Sequence, residues 1–543
     1  MNKSNLLPIV PIASTKGSTR SNPWTPTSHE VVIGKDILEL LSTSMYVDPM
    51  NIYREYVQNA ADSIDEARAA GVLRSDAAQV HIAIDPMART VRIRDNGASV
   101  PWSNFAGRLS NLGASKKRGT SARGFRGVGR LAGLGYCQEL VFRARAPGES
   151  LVSELRWDCR ALKSMLRSPG HDKHLTALVQ NVVSIRRVDM ADAPDRFFEV
   201  ELIGVIRHRD DRLLNSAAVA DYLSQVAPVP FSPRFSFSSK IDAYLQNHLQ
   251  LGELEIRINQ SETPLYRPHR DVIEVDGEVT TTFCDLETRE LTGIDGGVAA
   301  VAWILHHEYS GALPNKALVK GIRLRTGNIQ VGDHTLLEEL FPEPRFNSWS
   351  VGEVHILDPK ILPNGRRDNF EHNVHIDNVL NQLAPVAREI ARRCRHSSIA
   401  RKWVREFELH CEAALESAKA VGRGGLTRAS RQSHIDSIAK SQRAMRKVTE
   451  NRHLDEESRQ ELSCKAESVE VTIRDLIGNS ACPSDPLDSF SPQQRNAYKH
   501  IISLIYECST NRIAAGSLVE KLLARLTEET DSKTKGASST RPV

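Results

Sequence analysis

Long apolar runs are missing from this 543-residue chain. No segment approaches the ~18 consecutive apolar residues of a membrane-spanning helix, so no membrane helix is expected. The first 28 residues are rich in Ser, Thr and Pro, and prolines break their apolar part. That pattern lacks the apolar core of a secretory signal and reads as a flexible tail. The eight cysteines are scattered from Cys137 to Cys508 without a C-x-x-C pair. This argues against a disulfide framework or a zinc ribbon and for free thiols in the cytoplasm. His306-His307-Glu308, and His372 with His375, do not stand in an H-E-x-x-H frame, which sets aside a zinc protease. An excess of one charge is also absent. Lys plus Arg number 71 against 67 for Asp plus Glu, a net +4, so overall charge does not mark the chain as a nucleic-acid binder. The chain is too long for one core, and about two to four domains are expected.

What is present begins at residues 51–62, NIYREYVQNAAD. Glu55, Asn59 and Asp62 stand at i, i+4 and i+7, one stripe of a helix, while Tyr53, Val57 and Ile64 can face a core. Such a stripe is either a solvated polar face or a place to orient a water and hold a hydrated cation. Mg²⁺ keeps most of its waters and needs few protein ligands. Downstream, VRIRDNGASV (91–100) alternates Val91 and Ile93 with arginines as a strand does, then runs into Asp95-Asn96-Gly97. An acid at the end of an inner strand needs a donor partner, which an adenine amino group can supply. The third segment is RGFRGVGRLAGLG (123–135), in which Gly124, Gly127 and Gly129 form G-x-x-G-x-G. Glycines let the backbone approach closely, and a following helix offers free N–H groups to phosphate. The Gly-Lys-Ser/Thr ending of a Walker A loop is absent. The acid precedes the glycines instead of following them, so the dinucleotide fingerprint does not fit either.

In this order, E-x-x-x-N-A-x-D, D-x-G and G-x-x-G-x-G resemble the GHKL ATPase superfamily of gyrase, HtpG-type chaperones, histidine kinases and MutL. Residues 34–67, GKDILELLSTSMYVDPMNIYREYVQNAADSIDEA, are most similar to the first helices of the HtpG-type chaperones. The resemblance implies ATP and Mg²⁺ as ligands. Glu55 would be the general base, Asn59 the Mg²⁺ ligand and Asp62 a support for that helix. Asp95 would accept from the adenine amine, and Gly97 would let the base approach. Gly124, Gly127 and Gly129 would wrap the phosphates. Ser115, Lys116, Lys117 and Arg118 would belong to a lid, or to a solvated loop. Ser99 stands where the family often has a second glycine, and no threonine in RFFEVEL (196–202) matches the strand threonine that often closes the pocket.

A second resemblance covers KGIRLRTGNIQVGDHTLLEELFPEPRFNSWSVGEVHILDPKILPNGRRDNFEHN (320–373). It is similar to the chaperones' middle domain, whose loop sends an arginine to the γ-phosphate. Arg367 is the first candidate and Arg366 the next, with Asn364 shaping the loop. Both arginines could instead pair with Asp368 and Glu371. Related families use a lysine, which makes Lys320 the alternative, followed by Lys316.

The expected fold class is α+β. A GHKL (Bergerat) ATP-binding α/β sandwich over 29–234 is followed by a mixed α/β middle, or transducer, domain over 235–378. A helical C-terminal region spans 379–530, and 531–543 form a tail. Expected strands are 80–84, 91–95, 139–145, 182–187 and 197–205. Expected helical stretches are 376–420, 434–478 and 491–529, with a Gly/Arg-rich connector at 421–433. The C-terminal third does not resemble the chaperones' dimerisation domain. By resemblance, the chain is an ATP-binding, slowly hydrolysing conformational machine that acts on protein clients and pairs with a second copy on ATP. The alternative is a nucleic-acid clamp of the MutL or microrchidia type. It would grip phosphates through Arg392, Arg393, Arg395, Arg401, Lys402 and Arg405, and through Arg423, Arg428, Arg431, Lys440, Arg443, Arg446 and Lys447. A histidine kinase would need a phosphoacceptor helix ahead of the ATPase domain.

Overall fold

The computed structural model describes residues 48–74, 78–111, 129–167, 175–207, 210–275, 277–478 and 486–536. Over these the chain is mixed α+β with a helical C-terminal region. Helix α1 (Asn51–Ala69) precedes the hairpin β1 (Gln79–Asp85) and β2 (Thr90–Asp95). Next come α2 (Trp102–Ser110), a 3-10 segment (Gly129–Gly135), β3 (Glu139–Arg145), β4 (Val152–Asp158), α3 (Cys159–Arg167), α4 (Leu175–Val182), β5 (Val183–Val188) and β6 (Phe197–Ile203). After α5 (Ser216–Val226) and α6 (Ser238–Gln246), β7 (Glu255–Ile258) returns to the same sheet. The sheet order is β5-β4-β3-β6-β2-β1-β7. All neighbours are antiparallel except β1 and β7.

Alternation decides which face of this sheet is covered. Val80, Ile82, Val91, Ile93, Leu140, Phe142, Leu155, Trp157, Val200 and Leu202 join one core with Tyr53, Tyr56, Val57 and Ile64 of α1. The other face carries a transverse row of alternating charge. Arg94 meets Glu199 at 2.7 Å, Glu199 meets Arg143 at 3.0 Å, Arg143 meets Glu154 at 2.8 Å, and Glu154 meets Arg186 at 2.5 Å. The row crosses five strands, and cross-strand opposite charges of this kind stabilise a sheet.

A second sheet contains β10 (Asp285–Thr292), β11 (Val298–His306), β12 (Gly321–Thr326), β13 (Ile329–Val331) and β14 (Val351–Ile356), in the order β10-β11-β14-β12-β13. A separate hairpin, β8 (Val272–Val275) with β9 (Glu278–Thr282), precedes it. The two faces of this sheet differ in chemistry. Ala300, Ala302, Ile304, Ile322, Leu324, Val354 and Ile356 pack on Ile376, Val379, Leu383 and Ile390 of the long helix α7 (Val374–Arg423). The opposite face puts Val301, Trp303 and Leu305 against Phe231, Phe235, Ile241 and Leu245.

That second face also carries a buried ionic cluster. Glu353 Oε2 accepts from Arg267 Nη1 at 2.5 Å and Glu353 Oε1 accepts from Arg325 Nε at 2.6 Å. Burial drives the Glu353 carboxyl up, but Arg267, Arg325 and His355 outweigh it and hold the group well below the usual range. Arg325 also donates to the carbonyls of Gln225 and Ala227, and Arg267 to that of Val229. The sheet is thereby fastened to the chain that leaves α5.

Beyond α7, α8 (Arg428–Thr449) and α9 (Glu456–Gly478) pack with it around Phe407, Ala414, Met445 and Ile473. The expected helical stretch 434–478 is therefore two helices, parted at Glu450 to Asp455. The expected connector narrows to 424–427, in which Gly424 and Gly425 are both at positive φ (+75° and +72°) and the Thr427 side chain caps α8. Two further helices, α10 (Pro492–Cys508) and α11 (Arg512–Gly536), share a small core of Leu487, Ile502, Val519 and Leu523. Among the described residues no helix is long and apolar enough to cross a membrane.

Candidate nucleotide site on helix α1

Helix α1 is buried on both sides, and this distinguishes it from a solvated amphipathic helix. Tyr53, Val57 and Ile64 enter the first core, yet Glu55 and Asp62 are only 5% and 8% exposed. The stripe predicted from spacing is therefore covered, with Asn59 half-buried on it. Glu55 faces two segments distant in sequence. The backbone of Gly129, which opens the 3-10 segment, lies against its carboxylate: a Cβ at position 129 would stand 2.1 Å from Glu55 Oε2. Tyr56 next door secures the same segment, its hydroxyl donating to the Arg130 carbonyl and accepting from Gly133 N at 3.0 Å. From the other side, Arg367 Nε approaches Glu55 Oε1 to 3.1 Å. The contact is an ion pair off the hydrogen-bond axis, and Glu55 Oε1 is left without a hydrogen bond.

The loop bearing Arg367 joins β14 to α7 and is held by Arg54, the neighbour of Glu55. Arg54 Nη1 donates to the Arg367 carbonyl at 3.2 Å and Nη2 to the Arg366 carbonyl at 3.0 Å. Arg367 adopts φ +57°, a region that costs a non-glycine residue roughly 1–2 kcal/mol. The Arg366 side chain is exposed. Lys320 donates to Asn315 within its own loop. Of the four candidate cations for the γ-phosphate, Arg367, Arg366, Lys320 and Lys316, Arg367 contacts Glu55.

Asp95 ends β2 on the covered face and is 5% exposed. Burial raises its pKa to about 7 against the opposing pull of the Gly97 N–H, the Ser63 hydroxyl, Arg108 and Arg196. Gly97 N donates to Asp95 Oδ1 at 2.9 Å. A Cβ at Gly97 would lie 2.6 Å from the Ser63 carbonyl carbon, so glycine is required here for the loop to lie on α1. Ser99 occupies the left-handed region at φ +64°, held by its hydroxyl on the Phe197 carbonyl at 2.7 Å. The serine therefore takes up a backbone conformation that glycine would enter freely. β6 carries this contact through its main chain.

Gly124, Gly127 and the expected lid residues Ser115, Lys116, Lys117 and Arg118 lie outside the described residues. Two partners were not legible in the spacing. Ser63 sits beside Asp95 on α1, and Arg54 grips a loop from the second sheet. Only the i+8 position of Ser63 relative to Glu55 could have hinted at the first.

A nucleotide and its metal can be tested against this donor set. Among the described residues, the Glu55 and Gln58 Oε1 atoms are buried without hydrogen-bond donors. A buried polar atom of this kind is ordinarily satisfied by water, an ion or a ligand. The acid–amide–acid stripe, the close glycine backbone and a buried carboxyl with a pKa near neutrality fit a hydrated Mg²⁺ and a purine amine. His306, by contrast, is engaged between Glu287 (2.9 Å) and the Tyr309 hydroxyl (2.6 Å), and His375 pairs with Asp358 at 2.8 Å.

No family model matches the chain. It is similar over short stretches to curated chaperones named HtpG. With that of Streptomyces coelicolor it is 29% identical over 150 residues, 24% of this chain and 23% of the relative. With that of Chlorobium phaeobacteroides it is 33% identical over 92 residues, 16% and 14% of the two chains. With that of Salinispora tropica it is 34% identical over 93 residues, again 16% and 14%. The chain thus spans less than a quarter of the length of these relatives, and its similarity to HtpG chaperones is confined to that part.

Proposed function

We propose that the chain binds Mg-ATP against α1 and hydrolyses it slowly, as a conformational machine of the HtpG type. The observation that carries this reading is the meeting of Glu55 with Arg367 at 3.1 Å, across two separately built sheets. The order of the three motifs and the similarity to HtpG chaperones support it, and a GHKL-type sandwich around the first sheet is part of the same reading.

In this reading Asp95 accepts from the adenine amine, while Gly124, Gly127 and Gly129 present backbone N–H groups to the phosphates. Asn59 ligates the metal and Asp62 supports its helix. The metal, when bound, neutralises charge developing on the phosphates. Glu55 takes the proton of the attacking water. Arg367 stabilises the negative charge of the transferring group, a task suited to a planar, permanently charged guanidinium. Because Arg367 contacts Glu55 directly, its move onto phosphate would free the carboxylate to act as a base. A ligand can drive such a change only through contacts that differ between the two states, and the Arg367 loop supplies that difference. The machine reading extends to protein clients and to nucleotide-dependent pairing of two copies. Mg-ATP turnover by the purified chain, with Glu55→Ala alongside, tests it. Turnover that survives Glu55→Ala at the parent rate would remove Glu55 from the chemistry.

A further inference from the structure

One buried guanidinium ties together both loops that could send a cation toward α1. Arg323, on β12, is 4% exposed. Its Nη2 donates to the carbonyls of Leu318 at 2.8 Å and Lys320 at 3.4 Å, in the loop that bears Lys320. Its Nη1 donates to Gln330 Oε1 at 3.2 Å and to Gln225 Oε1 at 3.0 Å. Gln330 then passes the connection on: its Nε2 donates to the Gly332 carbonyl at 3.0 Å, and Gly332 N donates to the Arg367 carbonyl at 2.9 Å. Hydrogen bonds thus run without a break from the last turn of α5, through Arg323 and β13, to the backbone of Arg367. The final step needs glycine. Gly332 has φ +66°, and a Cβ there would stand 2.8 Å from the Asp368 carbonyl.

The energetics separate Arg323 from its neighbours. Arg267 and Arg325 are each paired directly with Glu353. Among the described residues, the hydrogen-bond acceptors of Arg323 are all neutral oxygens, and its Nε has no hydrogen bond. Burial lowers its pKa to about 10, with Glu353 and Asp333 opposing, so it stays charged at neutral pH. A buried charge without a direct ion partner is a costly fastener, and an apolar residue would hold a sheet as well. Its distinctive property is geometric. The planar fork reaches α5, the Lys320 loop and β13 at once. The loop it registers is itself strained, with Arg367 at φ +57°, and such a conformation persists only where its surroundings over-determine it.

We propose that Arg323 is a positioning residue for hydrolysis, one that fixes the Arg367 loop in register with α5 through Gln330 and Gly332. This rests on the ATPase reading above. The network also gives motion at the Lys320 loop or at α5 a direct path to Arg367.

The test uses the full chain with Arg323→Gln and Gln330→Leu, each alone and combined with Arg367→Ala. Mg-ATP kcat and KM and backbone amide exchange are measured on every variant. Each single substitution is expected to lower kcat roughly tenfold to a hundredfold with KM little changed, the scale expected of a misplaced catalytic group. In the Arg367→Ala background neither should lower kcat further. Exchange at Gly332 and across 364–369 should quicken while α1 keeps its protection. An equal loss of kcat with and without Arg367 would show a general structural role and overturn the proposal, as would an unchanged kcat in folded Arg323→Gln. If Arg323→Gln does not fold, Gln330→Leu, on an edge strand, carries the same test. If the parent chain turns over no ATP, the ATPase reading falls. Amide exchange then decides positioning alone, and unchanged rates at Gly332 and 364–369 would overturn it.

Discussion

Glu55 and Arg367 neutralise one another at 3.1 Å, the carboxylate on α1 and the guanidinium on the loop before α7. The pair sets two roles in opposition, because the Arg367 guanidinium cannot hold the Glu55 carboxylate and a phosphate at the same time. Arg367→Ala should therefore have a divided effect. ATP binding should be nearly unchanged, and kcat should fall by about 10²–10³-fold, the usual loss on removing one transition-state donor. Glu55→Ala should abolish turnover and retain binding. Single-turnover kinetics with a fluorescent nucleotide separates the two.

The glycine contacts predict a different pair of phenotypes. At Gly129 an added methyl collides with the Glu55 carboxylate, the end of a side chain. Gly129→Ala should fold, displace that carboxylate and reduce turnover. At Gly97 the collision is with the main chain of Ser63 as well as with Asp95, and main chain cannot yield cheaply. Gly97→Ala should lose roughly 1–3 kcal/mol of stability, the range for overpacking, together with nucleotide binding. Thermal unfolding with and without Mg-ATP distinguishes the two substitutions.

Much of the first sheet was legible because its strands alternate cleanly. The segments at 80–84, 91–95, 139–145 and 197–205 each contain the core of a strand. β4, Val152–Asp158, escaped because its outward positions are nearly as buried as its inward ones. Glu154 lies under the charge row between Arg143 and Arg186, which blurs the period of two. The candidate site divides in the same way. Spacing along α1 put Glu55, Asn59 and Asp62 on one stripe, since helix geometry fixes that. Arg54 and Arg323 could not be read, because they donate to backbone carbonyls, which carry no residue signature, and Ser63 could not because its partner Asp95 lies on another element.

On the proposed reading, Asp95 should make nucleotide binding sensitive to pH near neutrality. Its pKa is raised to about 7 by burial, so the carboxylate that accepts best from an amine is lost as pH falls through 7. Affinity for ATP should rise with pH up to about 7 and level off above. The stability of the nucleotide-free chain should run the other way. Between pH 3.8 and about 7 the folded state holds a proton that the unfolded state releases, so this group's contribution falls as pH rises across that window. Asp95→Asn should flatten both profiles. Calorimetric titration and thermal melts from pH 5.5 to 8.5 provide the check, and a pH-independent affinity would remove Asp95 from adenine recognition.

The buried cluster on the second sheet should respond to substitution and to acid in ways that Arg186, at the exposed end of the charge row, does not. Glu353→Gln leaves Arg267 and Arg325 buried without an ionised partner, and breaking such a pair from one side costs about 3–5 kcal/mol. Arg186→Ala, at the exposed end of the charge row, should cost about 0–1 kcal/mol. His269 adds an acid-sensitive element to the same region. It is buried among Phe231, Phe235 and Trp303, and its Nδ1 has no hydrogen bond. Burial, with Arg267, Arg323 and Arg325, lowers its pKa to about 3 against the pull of Glu353. A histidine held neutral contributes its full stability above pH 6.5. That contribution drains away as pH falls from 6.5 toward 3, because the unfolded chain takes up the proton first. His269→Phe keeps the aromatic packing and removes the titration, so it should flatten the loss of stability between pH 6.5 and 5 in urea unfolding. An unchanged acid slope in that variant would place the sensitivity elsewhere.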